Sequence, residues 1–392
     1  MSNRIPFSEI GRTVSAVEKW NPSMSNQMEP FNYIDLSSID QRGKRIVGTS
    51  KIHPKEAPSR ARQLVQEGDV LVSTVRPNLN GVAYVPKKLD GATASTGFCV
   101  LRPKEKEIDG RYLFYWVQTL KFIRDMVKFA TGANYPAISD RIVKASKIPL
   151  PPMAEQKRIA AILDKADAIR RKRRQVIQLA DEFLRSVFLD MFGDPATNPK
   201  GWQIKKIRQL GKVVTGNTPS RQILENYGEH IEWIKSDNIN TPSHILTKAE
   251  EALSEAGEKL GRTVPANSTL VTCIAGTPEC IGNAALADRK VAFNQQINAI
   301  VPFDNVDPYF LYMLVIISKK IIQRASTNSM KGMVSKGTFQ EIELISPPYN
   351  LQKKFGSHFY AYLNYLDKQE LQLKESDNLF NSLCQKAFRG EL

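Results

Sequence analysis

Pro151-Pro152-Met153-Ala154-Glu155-Gln156-Lys157-Arg158-Ile159 returns later in the chain as Pro347-Pro348-Tyr349-Asn350-Leu351-Gln352-Lys353-Lys354-Phe355. The offset between the two is 196, half of the 392 residues. Working outward, Phe183-Leu184-Arg185-Ser186-Val187 returns as Leu379-Phe380-Asn381-Ser382-Leu383, and Phe192 as Phe388. Towards the N-terminus, Tyr112-Leu113-Phe114-Tyr115 faces Tyr309-Phe310-Leu311-Tyr312, and Asp69–Val75 faces Ser268–Ile274. Tyr33-Ile34-Asp35 faces Trp233-Ile234-Lys235, and Ile10-Gly11 faces Leu210-Gly211. The register drifts only between periodic segments, where surface loops tolerate deletions. A period this long is a domain-sized duplication, not a solenoid repeat of 20–50 residues.

Each copy starts as a mixed globular domain. In the first, short strand-like runs (70–75, 81–85, 97–101) alternate with turn signals such as Arg76-Pro77-Asn78 and Asp90-Gly91. The spacing of Tyr112, Tyr115, Trp116, Leu120 and Ile123 predicts one helix over about 110–129, with a counterpart near 308–325. After Pro149-Leu150-Pro151-Pro152 the pattern turns wholly helical as far as Met191, and Gly193-Asp194-Pro195 stops it. Ile159, Ile162, Ala166, Ile169, Val176, Ala180, Phe183 and Val187 recur in 3-4 alternation, broken at Arg173. Such a stripe predicts a coiled-coil seam. The second copy repeats the helix over about 351–387, so each helix has the other as an antiparallel partner. The fold class expected is α+β: two homologous globular domains separated by two long helices packed as an antiparallel coiled coil, with a pseudo-twofold repeat. The boundaries expected are 1–150, 151–192, a linker 193–200, 201–346 and 347–392.

The net charge is +15, which points to a polyanion, most simply nucleic acid. It is unevenly divided. Residues 1–196 carry 32 Lys and Arg against 21 Asp and Glu, +11, whereas the rest carries 23 against 19, +4. The longest apolar candidate, around Phe310–Ile317, is far too short to span a bilayer. No membrane partner is expected. Four scattered cysteines (Cys99, Cys273, Cys280, Cys384) read as reduced core residues of a cytoplasmic protein, and four dispersed histidines leave no metal-ligand spacing.

Catalytic motifs are missing. No phosphate-cradling Gly-x-x-x-x-Gly-Lys-Ser/Thr string occurs, nor a glycine-rich loop after a strand for a nucleotide-like cofactor. Ser346-Pro347-Pro348-Tyr349 has the form of the Pro-Pro-aromatic turn by which amino-methyltransferases grip their target amine. Its counterpart, Leu150-Pro151-Pro152-Met153, lacks both the polar and the aromatic residue, and prolines at a helix start are routine. The chain reads as non-catalytic and as binding no cofactor itself.

Candidate base-reading residues sit in polar turns. Arg76 suits guanine, and Asn78 and Asn80 in the same loop suit adenine. Asn134 and Tyr135 occupy a second turn of the first copy. In the second copy the candidates are Asn217, Thr218, Ser220 and Arg221, with Lys331 in the place of the Asn134 turn. The run Arg170-Arg171-Lys172-Arg173-Arg174 lies mid-helix among Asp164, Asp167, Asp181 and Glu182. A solvated face with ion pairs is one reading; phosphate contact or partner docking through Arg170, Arg171, Arg173 and Arg174 is the other.

Taken together, these residues resemble the specificity subunit of type I restriction–modification systems. The likeness rests on the two Pro-Pro-x-x-x-Gln-Lys strings, on Ser186–Pro195 with Asn198-Pro199-Lys200-Gly201-Trp202, and on the terminal Ser382–Leu392. The loops Ser73–Pro77 and Thr215–Ser220 add to it. The resemblance spans essentially the full length. It implies two target-recognition domains, each reading one part of a bipartite double-stranded DNA sequence. It also implies that the helices hold two modification subunits, which bind S-adenosylmethionine and methylate adenine, and that restriction–translocase subunits join when present. Two rivals remain: a self-sufficient DNA methyltransferase using Ser346–Tyr349, and a coiled-coil protein adaptor.

Overall fold

The computed structural model describes residues 5–327 and 332–392. The chain divides into two compact units, Met1–Gln175 with Glu370–Leu392, and Val176–Gln369. Two long helices, Met153–Phe192 and Tyr349–Arg389, run through both.

Both units hold two larger sheets, one four-stranded in each and the other four-stranded in the first unit and five-stranded in the second. In the first, Val14–Ser15, Phe98–Pro103, Val70–Ser73 and Val82–Tyr84 lie side by side in that order. A second sheet orders Ser50–Ile52, Phe31–Ile34, Thr93–Ser95 and Ala61–Leu64, with one parallel pair, Thr93 opposite Tyr33. The second unit repeats this with Gly211–Thr215, Ile297–Pro302, Thr269–Thr272 and Ala284–Leu286. Its other sheet again has one parallel pair, Trp233 opposite Ala292. The central runs Val70-Leu71-Val72 and Leu270-Val271 are buried on both faces, which is why they read as continuous apolar runs without alternation.

The duplicated Pro-Pro-x-x-x-Gln string turns out to be a clip. Gln156 is 1% exposed; its Nε2 donates to the Pro151 carbonyl (2.9 Å) and its Oε1 accepts from Asp109 N (2.9 Å). Gln352 does the same with Pro347 O (2.7 Å) and Asp307 N (3.1 Å). One amide thus closes the proline turn and fastens the long helix to the start of a globular-domain helix. Asp109 and Asp307 in turn cap those helices through Tyr112 N, and through Tyr309 N and Phe310 N.

Those capped helices are shorter than the sequence suggests. The first breaks into Gly110–Trp116 and Leu120–Lys128, because Thr119 caps a fresh start by accepting from Phe122 N (3.2 Å). The second breaks at Ser318 into Pro308–Ile317 and Lys319–Arg324.

The seam also departs from expectation. In each unit the two long helices pack antiparallel: in the first Arg158 meets the Leu392 carbonyl and Arg173 meets Gln372, in the second Phe188 packs on Phe355. The buried positions of the first long helix are Gln156, Ile159, Ala160, Leu163, Asp167, Arg170, Leu184, Phe188 and Phe192. Ile169, Val176 and Phe183, expected in the seam, are 52%, 39% and 71% exposed. The reason is that the middle of the pair is polar. Arg170, only 8% exposed, bonds Asp167 (2.5 Å) and Asp377 (3.4 Å), and its guanidinium lies 3.5 Å from the Phe380 ring centre. Arg174 also takes Asp377 (2.8 Å), and Arg171 takes Asp167 (3.0 Å). Periodicity of apolar residues finds a charged seam only by its absence.

Gly193 ends the first long helix in the left-handed region (φ 76°), a conformation that needs no Cβ, and donates to the Leu189 carbonyl (2.8 Å). Gly356 has a different reason. A Cβ there would stand 2.5 Å from both carboxylate oxygens of Asp307, the residue that caps the neighbouring helix. Gly356→Ala should therefore destabilise the second unit by about 1–3 kcal/mol, against the usual gain for glycine-to-alanine in a helix. Urea unfolding of the two proteins measures it.

A second polar joint holds the second unit. His244, 8% exposed, lies 2.9 Å by Nδ1 from the Tyr312 hydroxyl and 3.0 Å by Nε2 from the Asp181 carboxylate. The hydrogen bond from His244, then its charge and that of Arg185, hold the Asp181 carboxyl below its ordinary 3.8 against the opposing effect of burial. A lowered carboxyl pKa stabilises the fold above the ordinary value and loses that contribution as pH falls through the lowered one. Asp181→Asn should therefore flatten the acid limb of the stability curve below pH 3.8. Urea midpoints taken down the pH scale for both proteins would show it, and parallel curves would exclude this role for Asp181.

Candidate nucleic-acid interface

The first unit brings two of the predicted turns together at one edge. Val75 pairs with Ala137, the Ile138 amide donates to the Thr74 carbonyl (2.9 Å), and the Arg76 amide donates to the Pro136 carbonyl (2.7 Å). Arg76 itself is left-handed (φ 49°), unusual for a side-chain-bearing residue. Its guanidinium sits 4.5 Å over the Tyr135 ring, with Nη2 3.4 Å from the Asn134 carbonyl. Tyr135 is 68% exposed, and Arg76, Asn78 and Asn134 are exposed beside it. The result is a forked donor laid on an aromatic face and turned to solvent. Stacked arginine keeps its fork pre-organised for a bidentate acceptor.

Asn80 does not join them. It is buried, with Nδ2 donating to the Val117 carbonyl (3.1 Å) while its own carbonyl accepts from Lys44 Nζ (2.5 Å). Lys44 is half-buried there, and burial first, then the nearby Arg170 charge, lowers its ammonium to about 8.

In the second unit the predicted loop is partly internal. Asn217 clips two segments, Nδ2 to the Leu260 carbonyl and Oδ1 from Arg262 N, both 2.8 Å. Arg221 is exposed but paired with Glu251 (2.8 Å), and stands 5.3 Å from the Tyr227 and Trp233 rings. Thr218 and Ser220 are exposed, and the Thr218 hydroxyl donates to Gln295 Oε1. Lys331 lies outside the described residues.

The true counterpart of the Arg76 edge is elsewhere. Val334 N donates to the Cys273 carbonyl (2.8 Å), matching Ile138 to Thr74, and Ile274–Ala275 pairs with Gly332–Met333. The short helical turn Pro278–Cys280 matches Pro77–Leu79. A third turn abuts each edge. Thr74 N and Oγ1 both reach the Gly97 carbonyl (2.9 Å each), and Cys273 N and Ile274 N both reach the Gln296 carbonyl (2.8 and 3.1 Å). The repeated proline of Arg76-Pro77 and Thr277-Pro278 is the sequence signal that aligns the edges.

The four arginines of the mid-helix run are unequally placed. Arg170, Arg173 and Arg174 turn into the helix pair, while Arg171 is exposed and ion-paired. Among the described residues no group of three or more His, Cys, Asp or Glu is arranged to hold a metal ion. No helix among them is long and apolar enough to cross a membrane.

The chain thus carries two copies of one α+β domain, each with an exposed edge, and two long helices that pair antiparallel in each unit. A family model for the type I restriction modification DNA specificity domain matches residues 21–179 and again 199–375. The chain belongs to that family. Each family match contains one of the two polar edges. Among similar proteins, the type I restriction enzyme HindI specificity subunit of Haemophilus influenzae is 22% identical over 451 residues, 92% of this chain and 94% of that one. The putative type I restriction enzyme MjaX specificity subunit of Methanocaldococcus jannaschii is 28% identical, over 80% of this chain and 75% of that one. The solved S subunit of a type I restriction–modification system from M. genitalium shares the fold at a TM-score of 0.57 and 14% identity, covering 99% of this chain and 97% of the other.

Proposed function

We propose that this chain is the non-catalytic DNA-reading subunit of a type I restriction–modification complex in the cytoplasm. Each recognition domain reads one half of a bipartite double-stranded target. The observation that carries this is the doubled edge: one backbone arrangement, built twice within a specificity-domain family, bearing different side chains each time. A bipartite asymmetric target asks for that combination. In the first domain the readers are Arg76, Asn78, Asn134 and Tyr135; Thr218, Ser220 and Arg221 flank the second.

S-adenosylmethionine and the methyl transfer to adenine belong to two modification subunits, with restriction–translocase subunits joining where present. Their docking surface is the outer face of the long helices. Val176, Leu179 and Phe183, at helical spacing in the second unit, are 39%, 52% and 71% exposed. An apolar stripe left in water marks a protein interface. Phe183→Asp should abolish co-purification with a modification subunit while leaving the chain folded. Retained binding at full strength would remove this surface from the model.

The helices also set the distance between half-sites. Forty residues at 1.5 Å each make a rod of roughly 60 Å. Because the pairing is antiparallel within each unit, a spacer change needs matched four-residue insertions in both helices, near positions 175 and 369, adding about 6 Å. Sequencing the methylated DNA should then show a longer unread spacer between unchanged half-sites. Altered half-sites would overturn the ruler.

The Ser346–Tyr349 methyltransferase reading has a competing explanation in the Gln352 clip, which holds that turn as Gln156 holds its counterpart. Binding of S-adenosylmethionine by the purified chain alone would revive it.

A further inference from the structure

Resting on that reading, the repeat symmetry goes further than the polar loops chosen from sequence. We propose that the second recognition domain reads its half-site through Gln295, with Thr277 and Glu279 beside it, and that Gln295 specifies an adenine.

The placement follows from three equivalences within the two units. Cys273–Ala275 occupies the position of Thr74–Arg76, fastened by the same amide-to-carbonyl bond from the strand after the neighbouring turn. Pro278–Cys280 repeats the short helical turn of Pro77–Leu79. Asn294–Gln296 repeats Ser95–Gly97, with its last carbonyl accepting from the strand end in both copies. Ala275, buried, stands at the strand position of Arg76, and two further residues lead to Pro278, which Thr277 and Glu279 flank as Arg76 and Asn78 flank Pro77; these four, with Thr96 and Gln295 on the adjoining turn, are exposed. The strand ends and the adjoining turn are therefore common, whereas the short helical turn is entered left-handed at Arg76 (φ 49°) and extended at Thr277 (φ -116°), and the side chains differ.

That chemistry is directional. A glutamine amide presents one donor and one acceptor side by side, the pattern complementary to adenine N7 and N6 in the major groove. The Thr218 hydroxyl donates to Gln295 Oε1, which still has a lone pair for the adenine amino group, while both Nε2 protons stay free. Thr218 thus acts as a positioning residue: it fixes which edge of the amide faces outward. Glu279 is acceptor-only, suited to the exposed amino group of cytosine and unsuited to guanine. The first domain offers the reverse, a guanidinium with donors only. The exchange of Arg76 for a carboxylate-bearing edge also fits the charge division of +11 against +4 between the halves. A weaker sequence-independent pull on the second side leaves more of the discrimination to such direct contacts.

The experiment is the methylated motif, read by long-read sequencing, of a host expressing the full chain with its modification subunit. Wild type should give a bipartite motif; a contiguous one, or none, overturns the specificity-subunit reading and this inference with it. Given a bipartite motif, Gln295→Ala should relax one adenine position in one half-site, with discrimination there falling roughly 5- to 150-fold. The other half-site should not change. Thr218→Val should relax that same position, a signature that a general loss of stability would not produce. Glu279→Gln should change a different position of the same half-site. If Gln295→Ala abolishes modification altogether, Gln295→Thr, which installs the first copy's residue, decides in its place. Unchanged motifs in the Gln295 and Glu279 variants, or changes in the half-site that Arg76 reads, would sink the proposal.

Discussion

Asp377→Ala should lower the stability of the first unit by about 1 kcal/mol, the upper range for a partly exposed ion pair, since the Asp377 side chain is 35% exposed. Asp377 accepts from both Arg170 and Arg174, at 3.4 and 2.8 Å. Arg170 is 8% exposed, and its Nε, like Arg173 Nε and Arg174 Nη1, is buried without a protein hydrogen-bond partner. Without Asp377, Arg174 would lose its carboxylate, and Arg170 would keep only Asp167, which also holds Arg171. Hydrogen exchange across residues 159–175 and 370–388 would localise the loss. Replacing Arg170 with Met and Asp377 with Leu together should cost more than Asp377→Ala alone, because Asp167 then loses its 2.5 Å partner and Arg174 its carboxylate. A loss under 0.5 kcal/mol for Asp377→Ala alone, the range of ordinary surface changes, would mean that water reaches the cluster.

Arg76→Ala should have the largest effect on recognition. A bidentate arginine–guanine contact is worth about 1–3 kcal/mol of discrimination, so one position of one half-site should become permissive while the second half-site stays intact. Stability should change little, because alanine removes no buried contact and the strained backbone at φ 49° remains. Tyr135→Leu should weaken the same position by less, since it loosens the guanidinium at 4.5 Å without removing it. If every position weakens alike and the salt dependence becomes shallower, Arg76 holds a phosphate instead.

The repeat, the long helices and the sheet cores were legible because each depends on regular spacing. The Pro-Pro-x-x-x-Gln string could be matched from sequence, but its role as a clip could not, since Asp109 and Asp307 lie far away in the chain. The apolar stripe gave only part of the seam: Ile159 is buried and Ala166 and Val187 pack against the cores. The structure buries Asp167 and Arg170 and leaves Val176 and Phe183 outside. Loop chemistry found Arg76, Asn134 and Tyr135, which do meet, but could not distinguish outward amides from inward ones. Asn80 and Asn217 look the same in sequence and are internal clips. The duplication located the second edge through Ser268–Ile274 and Lys331, but Thr277 and Glu279 were not singled out, because neither is a forked donor and two residues inserted before Pro278 break the register that aligns Asp69–Val75.

The second unit is continuous in sequence, whereas the first is completed by Glu370–Leu392. During synthesis this reverses the usual order, in which the domain made first folds first. Residues 176–369 can close as soon as they clear the ribosome. The earlier-made unit must wait for Phe388, whose ring packs 5.0 Å from Tyr112 and 5.1 Å from Trp116. Until then those aromatics lack their cover, and a nascent chain halted before residue 370 exposes a surface that chaperones bind. The unit encoded first is the one completed last.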